Sequence, residues 1–423
     1  MKEIFVFVYL PNEINGTPAG IFSYDRKEKV GKFSYGRKYK DKFNIPVSFD
    51  LPISNKEVIS NQFNGLFSAF RDSQPDYWGR TVYASINKRN LQELNEDEIL
   101  LVNGASRIGN LDFRETLNSP EPELSLPNFS SLDGLVKASE DIQKGLEVDK
   151  AYRQLILQGT TVGGMRPKCT IEHEHKLWIA KFPSIQDTYN TVKVECATME
   201  IARLAGIKTP TLKIENISGK DVFFIERFDR FYDKNQQGYT RKGFISCLSF
   251  LKKHEQDRDY GYPDLSDLLR KNFDNKGASE LFKRMLFNIA VRNIDDHGRN
   301  HGVIFYNNKI ELSPAYDITP SISREGVSTE FDLAINVGNY GRSATINNAM
   351  SSYERFGITD TEAIKHIEDI KEALSSWKDV FRLYEVCDKD INLFSHTFEE
   401  GVKRLNNIEN FNNGGFNSDV LIF

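Results

Sequence analysis

Residues 285–302 read MLFNIAVRNIDDHGRNHG, an apolar run that passes through Arg292 into a decapeptide, residues 293–302, with two aspartates, two histidines, two asparagines and an arginine. A run such as MLFNIAV belongs in a core helix, whereas the decapeptide behind it cannot be buried without polar partners. Any fold for this chain must therefore bring chemistry to the end of a core helix. What that chemistry is depends on what stands upstream and downstream.

At 423 residues the chain is long enough for two or three domains with substantial cores. With 39% hydrophobic and 27% charged residues it has the composition of a globular protein, neither disordered nor fibrous. A net charge of -5 and a pI near 5.9 argue against broad electrostatic binding to nucleic acid, which needs a concentrated basic surface. Cys169, Cys196, Cys247 and Cys387 are far apart and show neither disulfide-ladder nor zinc spacing, which fits reduced thiols in a cytoplasm. The N-terminal run IFVFVYL is too short to span a membrane and no small-residue cleavage site follows it.

Short β-type runs, IFVFVYL, AGIFSY and GKFSYGRKY, fill the start of the chain and predict a β-rich module. The segment 117–131, LNSPEPELSLPNFSS, is the best linker candidate and places a first boundary near residue 130. Residues 132–157 are helical in pattern, with a break near 147–149. GTTVGGMRPK then leads into the hairpin CTIEHEHKLWIAKF. A helix is expected over 187–205, with Val192, Cys196, Met199 and Leu204 near one face and Gly206 as its stop. LKIENISGKDVFFIERF is another hairpin, helices dominate from Phe244, and VIFYNNKIELS turns at Asn307 and Asn308. The Asn/Gly-rich end of the chain reads as a mobile tail.

In order, the polar signals after residue 158 are a Gly-rich turn with Lys168, a strand-end lysine (Lys181), a helical glutamate (Glu195), an apolar strand entering Glu226-Arg227-Phe228, Asp295 with Asn300 five positions on, a hairpin, and Asp317. That is a kinase parts list. Phosphoryl transfer needs charge neutralisation and alignment more than covalent help. Asp295 and Asn300 reproduce the D-x-x-x-x-N interval of a protein-kinase catalytic loop, with the first residue as base and the last as a Mg²⁺ ligand. Asp317 would be the second metal carboxylate, Lys181 would pair with phosphates and be oriented by Glu195, and the backbone of GTTVGG could approach the nucleotide. Singly, each has a plainer reading as a hairpin glycine, a solvated lysine, a surface glutamate or a turn-capping aspartate; their order is what argues for function.

His297 and His301 are four apart, as two metal ligands on a helix would be, but no glutamate base lies between them. A buried, hydrogen-bonded His297 bracing the loop is the preferred reading, and His173 and His175 are expected in solvent at a hairpin turn. A nucleotide-binding pseudokinase serving as an interaction module and a metal-dependent phosphoesterase remain alternatives.

Across nearly its whole length the chain resembles the HipA family, the kinase toxins of bacterial toxin–antitoxin pairs. TTVGGMRPK looks like the family's Gly-rich loop, WIAKFP its lysine strand, VECATMEIARLAGI its helix and FFIERFDR its hinge. NIDDHGRNHG and LSPAYDITPS look like its catalytic and metal-binding segments, and DSQPDYWGR and SRIGNLDF are similar to the module preceding the kinase core. The resemblance implies an α+β, two-lobed, protein-kinase-like fold with an extra N-terminal β-rich subdomain (1–130), an N-lobe (131–228) and a helical C-lobe (229–423). It implies serine/threonine kinase activity with ATP and Mg²⁺, a protein substrate in translation such as an aminoacyl-tRNA synthetase, and neutralisation by a small helix-turn-helix, HipB-like antitoxin that binds operator DNA. Carried over, Asp295 is the catalytic aspartate, and Asn300 and Asp317 bind Mg²⁺. Gly163, Gly164, Met165, Arg166, Pro167, Lys168 and Lys181 contact phosphates, with Glu195 orienting Lys181. Glu226, Arg227 and Phe228 form the adenine hinge, and His297, Gly298, Arg299 and Tyr316 flank the nucleotide. The family's self-inactivating phosphorylation falls on a serine where this chain has Thr161.

Overall fold

Alternation in IFVFV lets one face of a strand be buried. Ile4, Val6 and Val8 of β1 (Lys2–Val8) enter a core with Phe22, Tyr24, Phe33 and Tyr35. β1, β2 (Thr17–Asp25), β3 (Val30–Tyr35), β4 (Val58–Ser60) and β5 (Leu111–Arg114) form an antiparallel sheet in the order β4-β3-β2-β1-β5. The expected β-rich module is present, and it also holds helices that strand-like runs did not announce, among them Ser68–Asp72 and Tyr77–Ile86. Aromatic packing fixes the first: the Phe70 ring lies 4.9–5.7 Å from those of Phe22, Phe33, Phe67 and Phe113. Asp76 caps the second by accepting from the Gly79 N–H at 3.2 Å. The stretch expected to be a linker is tied down, because Glu121 accepts from Tyr9 and Arg114 at 2.8 Å and from the Gly16 N–H at 2.9 Å.

Helices Leu132–Gln143 and Lys150–Gly159 flank the predicted break. β6 (Lys168–His173), β7 (Lys176–Lys181), β8 (Leu212–Ile217) and β9 (Lys220–Glu226) make a second antiparallel sheet, ordered β6-β7-β9-β8. Its core takes Trp78 and Val82 from the helix Tyr77–Ile86. The helix expected over 187–205 runs Thr191–Leu204. It begins later because the Asp187 carboxylate closes a turn, accepting from the Ser184 N–H at 2.8 Å and the Thr191 hydroxyl at 2.7 Å. Leu204 is 48% exposed rather than on the buried face; at about 100° per residue it lies roughly 120° around the helix from Val192. His173 and His175 sit at the β6–β7 turn as expected, His175 exposed and His173 partly so, with their rings packed 4.3 Å from Phe129 and 4.1 Å from Tyr232. β10 (Arg230–Asp233) and β11 (Gly238–Arg241) form a hairpin, and β12 (Gly243–Ser246), β13 (Gly302–Tyr306) and β14 (Lys309–Leu312) a third sheet.

The computed structural model describes residues 2–102, 104–159, 164–272, 275–307, 309–326 and 329–406. They divide into two units. One, which holds all the sheets, comprises Met1–Cys196, Pro210–Gln256 and Gly298–Pro314; the other, mainly helical, comprises Ala197–Thr209, Asp257–His297 and Ala315–Phe423. Asn308, at the predicted turn, and the tail from residue 407 lie outside the described residues. Among the described residues no helix is long and apolar enough to cross a membrane.

The helical unit is built on Asn275–Ala290, which is buried all round from Leu281 to Ala290. It packs against Tyr262–Asn272, Asp360–Ser375 and Asp388–Asn406. Close approach is possible because Gly401 has no side chain: a Cβ there would stand 2.2 Å from the Ala290 carbonyl oxygen. His366 of the helix Asp360–Ser375 lies 3.0 Å from the Ser279 hydroxyl. Burial, helped by the neighbouring Lys283 charge and opposed by Asp369, brings its pKa down to about 4. The folded state therefore refuses a proton that the unfolded chain accepts near pH 6.5, so stability present above that pH is lost as pH falls toward 4. We expect about 1–2 kcal/mol to be lost, after allowance for solvent screening. Urea midpoints measured from pH 7 to pH 4 should fall more steeply for the wild type than for His366→Gln; parallel lines would remove His366 from the account.

Candidate functional site

In the sheet unit, β6 and β7 pair in a register that sets Lys168 opposite Lys181. Opposed residues share a face, and both lysines are buried, at 2% and 6% exposure. Two buried ammonium groups on one face call for anions. Glu195, buried on the helix Thr191–Leu204, is one such anion, with its carboxylate 2.5 Å from the Lys181 Nζ. Upstream, Gly164 has φ +121°, a conformation L side chains rarely adopt, and a Cβ there would stand 2.2 Å from the Lys168 Nζ. The turn must therefore stay bare where it meets the lysine. Arg166 binds the Asp187 carboxylate at 2.7 Å and the Thr191 hydroxyl at 2.5 Å, tying the end of the turn to the start of the Glu195 helix. Met165 is exposed, and the Pro167 carbonyl receives the Phe182 N–H at 2.9 Å. Thr161 and Gly163 lie outside the described residues.

At the expected hinge the Glu226 N–H goes to the Thr211 carbonyl and the Arg227 N–H to that of Leu177. The Arg227 side chain is committed elsewhere: it donates to Asp229 at 2.8–2.9 Å and to the Ser106 carbonyl at 2.6 Å. The Phe228 ring lies 6.2 Å from that of Phe244.

Gly298, Arg299 and Asn300 also belong to the sheet unit. The Gly298 and His301 carbonyls receive the Leu248 and Cys247 N–H groups at 2.9 and 2.8 Å. Arg299 is held by Glu255 at 2.6 Å and Asp72 at 3.1 Å, and Asn300 is buried. Asp72 and Trp78, whose indole N–H donates to the Lys168 carbonyl at 2.9 Å, were not singled out by the sequence. Their segment DSQPDYWGR stood out, but nothing in its pattern names what its polar groups hold.

The helical unit carries Asp295, His297, Tyr316 and Asp317. The core helix ends where Arg292 takes φ 57°. The Asn293 N–H returns to the Asn288 carbonyl at 2.9 Å and the Arg292 N–H to that of Ile289 at 3.4 Å. This is the Schellman closure, with arginine where glycine is usual. Asp317 also sits at positive φ, 61°, a conformation aspartate tolerates better than most residues. The Ser321 N–H donates to the Arg292 carbonyl at 3.1 Å, holding the Asp317 segment to the end of the core helix. Burial raises the pKa of Asp295; the His297 charge lowers it, and the Asp317 charge raises it further. His297 and His301 share no helix, since residues 291–301 are turns and bends, so their spacing does not make the helical ligand pair it suggests. His297 is half-buried, and its Nδ1 makes no hydrogen bond among the described residues. Among the described residues no group of three His, Cys, Asp or Glu side chains could hold a metal ion.

The profile of the HipA N-terminal domain matches residues 13–114 and that of the HipA-like C-terminal domain residues 160–377. A Sinorhizobium fredii protein named "Putative kinase Y4mE" is 22% identical over 346 residues, covering 76% of this chain and 79% of that protein. The Shewanella oneidensis serine/threonine-protein kinase toxin HipA is 23% identical over 229 residues, covering 48% of this chain and 53% of that one. The solved structure of Shewanella oneidensis HipA, in complex with HipB and operator DNA, matches with a TM-score of 0.69 at 14% identity, covering 95% of this chain and 96% of that one. The fold is thus α+β and protein-kinase-like, with the additional N-terminal β-rich part and a helical C-terminal part. With its C-terminal profile alone spanning half the sequence, the chain belongs to the HipA family.

Proposed function

We propose that this chain is an ATP- and Mg²⁺-dependent serine/threonine protein kinase, the toxin of a toxin–antitoxin pair. The observation that carries the reading is the Asp295–Asp317 carboxylate pair, in which the charge of one adds to burial in raising the pKa of the other. The buried lysines of β6 and β7 support it as partners for phosphate oxygens. Asp317 and Asn300 would offer Mg²⁺ the hard oxygen ligands it prefers, and a dication would offset the charge of the two aspartates. Bound there, Mg²⁺ supplies charge neutralisation for the phosphates.

Asp295 would receive the proton of a serine or threonine hydroxyl as that oxygen bonds to the γ-phosphorus and the bond to the β,γ-bridging oxygen breaks, releasing ADP. A carboxylate with a raised pKa is the stronger base. Lys181, oriented by Glu195, and Lys168 would hold phosphates, while backbone at Glu226 and Phe228 would meet adenine and His297 and Tyr316 would flank the nucleotide. Incubation with labelled ATP and Mg²⁺, alone and with cell extract, tests the reading. Label moves to protein if the chain is a kinase, is released if it is a phosphoesterase, and stays on ATP if it is a pseudokinase. Asp317→Ala should weaken Mg-ATP binding markedly without unfolding the protein, as calorimetry would show; unchanged binding would end the metal assignment.

The toxin role rests on family membership and on the Shewanella HipA structure, which holds HipB and operator DNA. By analogy a small helix-turn-helix antitoxin would neutralise this chain and carry it to DNA, in the cytoplasm, and its target would be a protein of translation. The proposed division of labour follows 1–130, 131–228 and 229–423. Self-phosphorylation at Thr161, or at the adjacent Thr160, would add about -1.5 to -2 charge to the Gly-rich segment and switch the enzyme off; mass spectrometry after incubation with Mg-ATP would detect it.

A further inference from the structure

The segment DSQPDYWGR plays no part in the mechanism above, yet two of its side chains reach the segments that do. Asp72 is 8% exposed and its carboxylate is fully engaged. One oxygen accepts from the Ser246 N–H at 2.6 Å; the other accepts from the Ser246 and Ser249 hydroxyls at 2.9 and 2.8 Å and from Arg299 at 3.1 Å. Ser246 in turn caps the short helix Cys247–Phe250, whose first two N–H groups bind the carbonyls of His301 and Gly298. One carboxylate thus grips the loop around Asn300 twice, through the Arg299 side chain and through the backbone on either side of it. Arg71, the residue before Asp72, closes the ring of charges by binding Glu255 at 2.7 Å, which itself binds Arg299 at 2.6 Å. Six residues after Asp72, Trp78 fixes the Lys168 carbonyl. Phe70, locked among the rings of the first sheet, anchors the helix that ends in Asp72.

We propose that Asp72 is a positioning residue for phosphoryl transfer, holding Arg299 and thereby Asn300 in the geometry that binds Mg²⁺. The inference rests on the kinase reading of the site. It assigns the N-terminal module a part in the chemistry: its sheet is the rigid support from which the loop is hung. A charged pair that fixes an adjacent ligand acts on metal use before it acts on folding, because the other bonds to Asp72, from two serines, hold the local fold whether or not Arg299 is in place.

The test compares wild type with Asp72→Asn, Arg299→Gln, the double variant and Ser249→Ala, in kinase assays over a range of Mg²⁺ concentrations. Asp72→Asn and Arg299→Gln should each raise the Mg²⁺ concentration for half-maximal activity by about 10-fold, in line with the usual effect of removing a supporting partner of a metal ligand. The double variant should be no worse than the poorer single one, since both remove one interaction. Ser249→Ala should leave the Mg²⁺ requirement unchanged. Additive losses, or an unchanged Mg²⁺ requirement in Arg299→Gln, would overturn the proposal, and the latter holds even if Asp72→Asn fails to fold. Hydrogen exchange separates this outcome from failure of the kinase reading. If the wild type transfers no phosphate, the Leu248 amide, bonded to the Gly298 carbonyl, should still exchange faster in Arg299→Gln; equal protection would show that the side chain does not position the loop.

Discussion

Asp295→Asn is expected to lower phosphoryl transfer by about 10²-fold or more while ATP binding survives. The amide is the same size as the carboxyl and still hydrogen-bonds, but it cannot take the hydroxyl proton. Asp295 keeps part of its surface open to solvent even though the surrounding protein desolvates its carboxylate, whereas Asp296 is 2% exposed and cannot present its carboxylate to a protein hydroxyl without moving the loop. Burial and the Asp317 charge raise the Asp295 pKa, against the pull of His297. The base must be deprotonated to act, so the acid limb of kcat/KM should fall above the ordinary aspartate range, and activity should rise with pH through it. The residual activity of Asp295→Asn should lack that limb. Near-normal transfer with an intact acid limb would reassign the base.

The parts of this site that local rules govern were legible in the sequence, and the parts that depend on distant partners were not. Strand–turn–strand patterns placed Lys181 near the end of a hairpin and Lys168 in the Gly-rich turn just before it; that Lys168 opens the first strand and opposes Lys181 follows from the register, which no count of apolar residues reveals. Periodicity announced the Glu195 helix but began it early, because Asp187 satisfies a turn instead. Nor did the four-residue spacing of His297 and His301 carry a helical meaning, since the core helix has already been closed by Arg292 in the left-handed conformation. Arg227 read as part of a nucleotide hinge, yet its side chain is turned toward Asp229 and the Ser106 carbonyl. The bonds from Asp72 to Arg299 and from Trp78 to Lys168 span 227 and 90 positions. A polar side chain leaves no periodic trace of what it binds over such separations, so these supports emerge only from the fold.

The largest stability effect is expected at Asp229. Its carboxylate, 2% exposed, accepts from Arg227 at 2.8 and 2.9 Å, from Arg230 at 2.8 Å and from the Gly109 N–H at 2.9 Å. Both arginines are themselves buried, at 4% and 5% exposure. Burial opposes ionisation of Asp229, but the two guanidinium groups overcome it and hold the carboxyl well below the usual carboxylate range. The arginines keep carbonyl partners at Ser106, Arg107 and Gly109, so removing the carboxylate leaves hydrogen bonds in place but no counter-charge. Asp229→Ala should therefore cost about 3–5 kcal/mol, the usual range for breaking one side of a buried ion pair, against a total of about 5–15 kcal/mol for a folded domain. Adding Arg227→Met should recover part of that loss, because one stranded charge is replaced by an apolar side chain. Urea unfolding of the single and double variants decides the matter: a double variant less stable than Asp229→Ala alone would mean that Arg227 stabilises the fold through its carbonyl bonds, not through the carboxylate it faces.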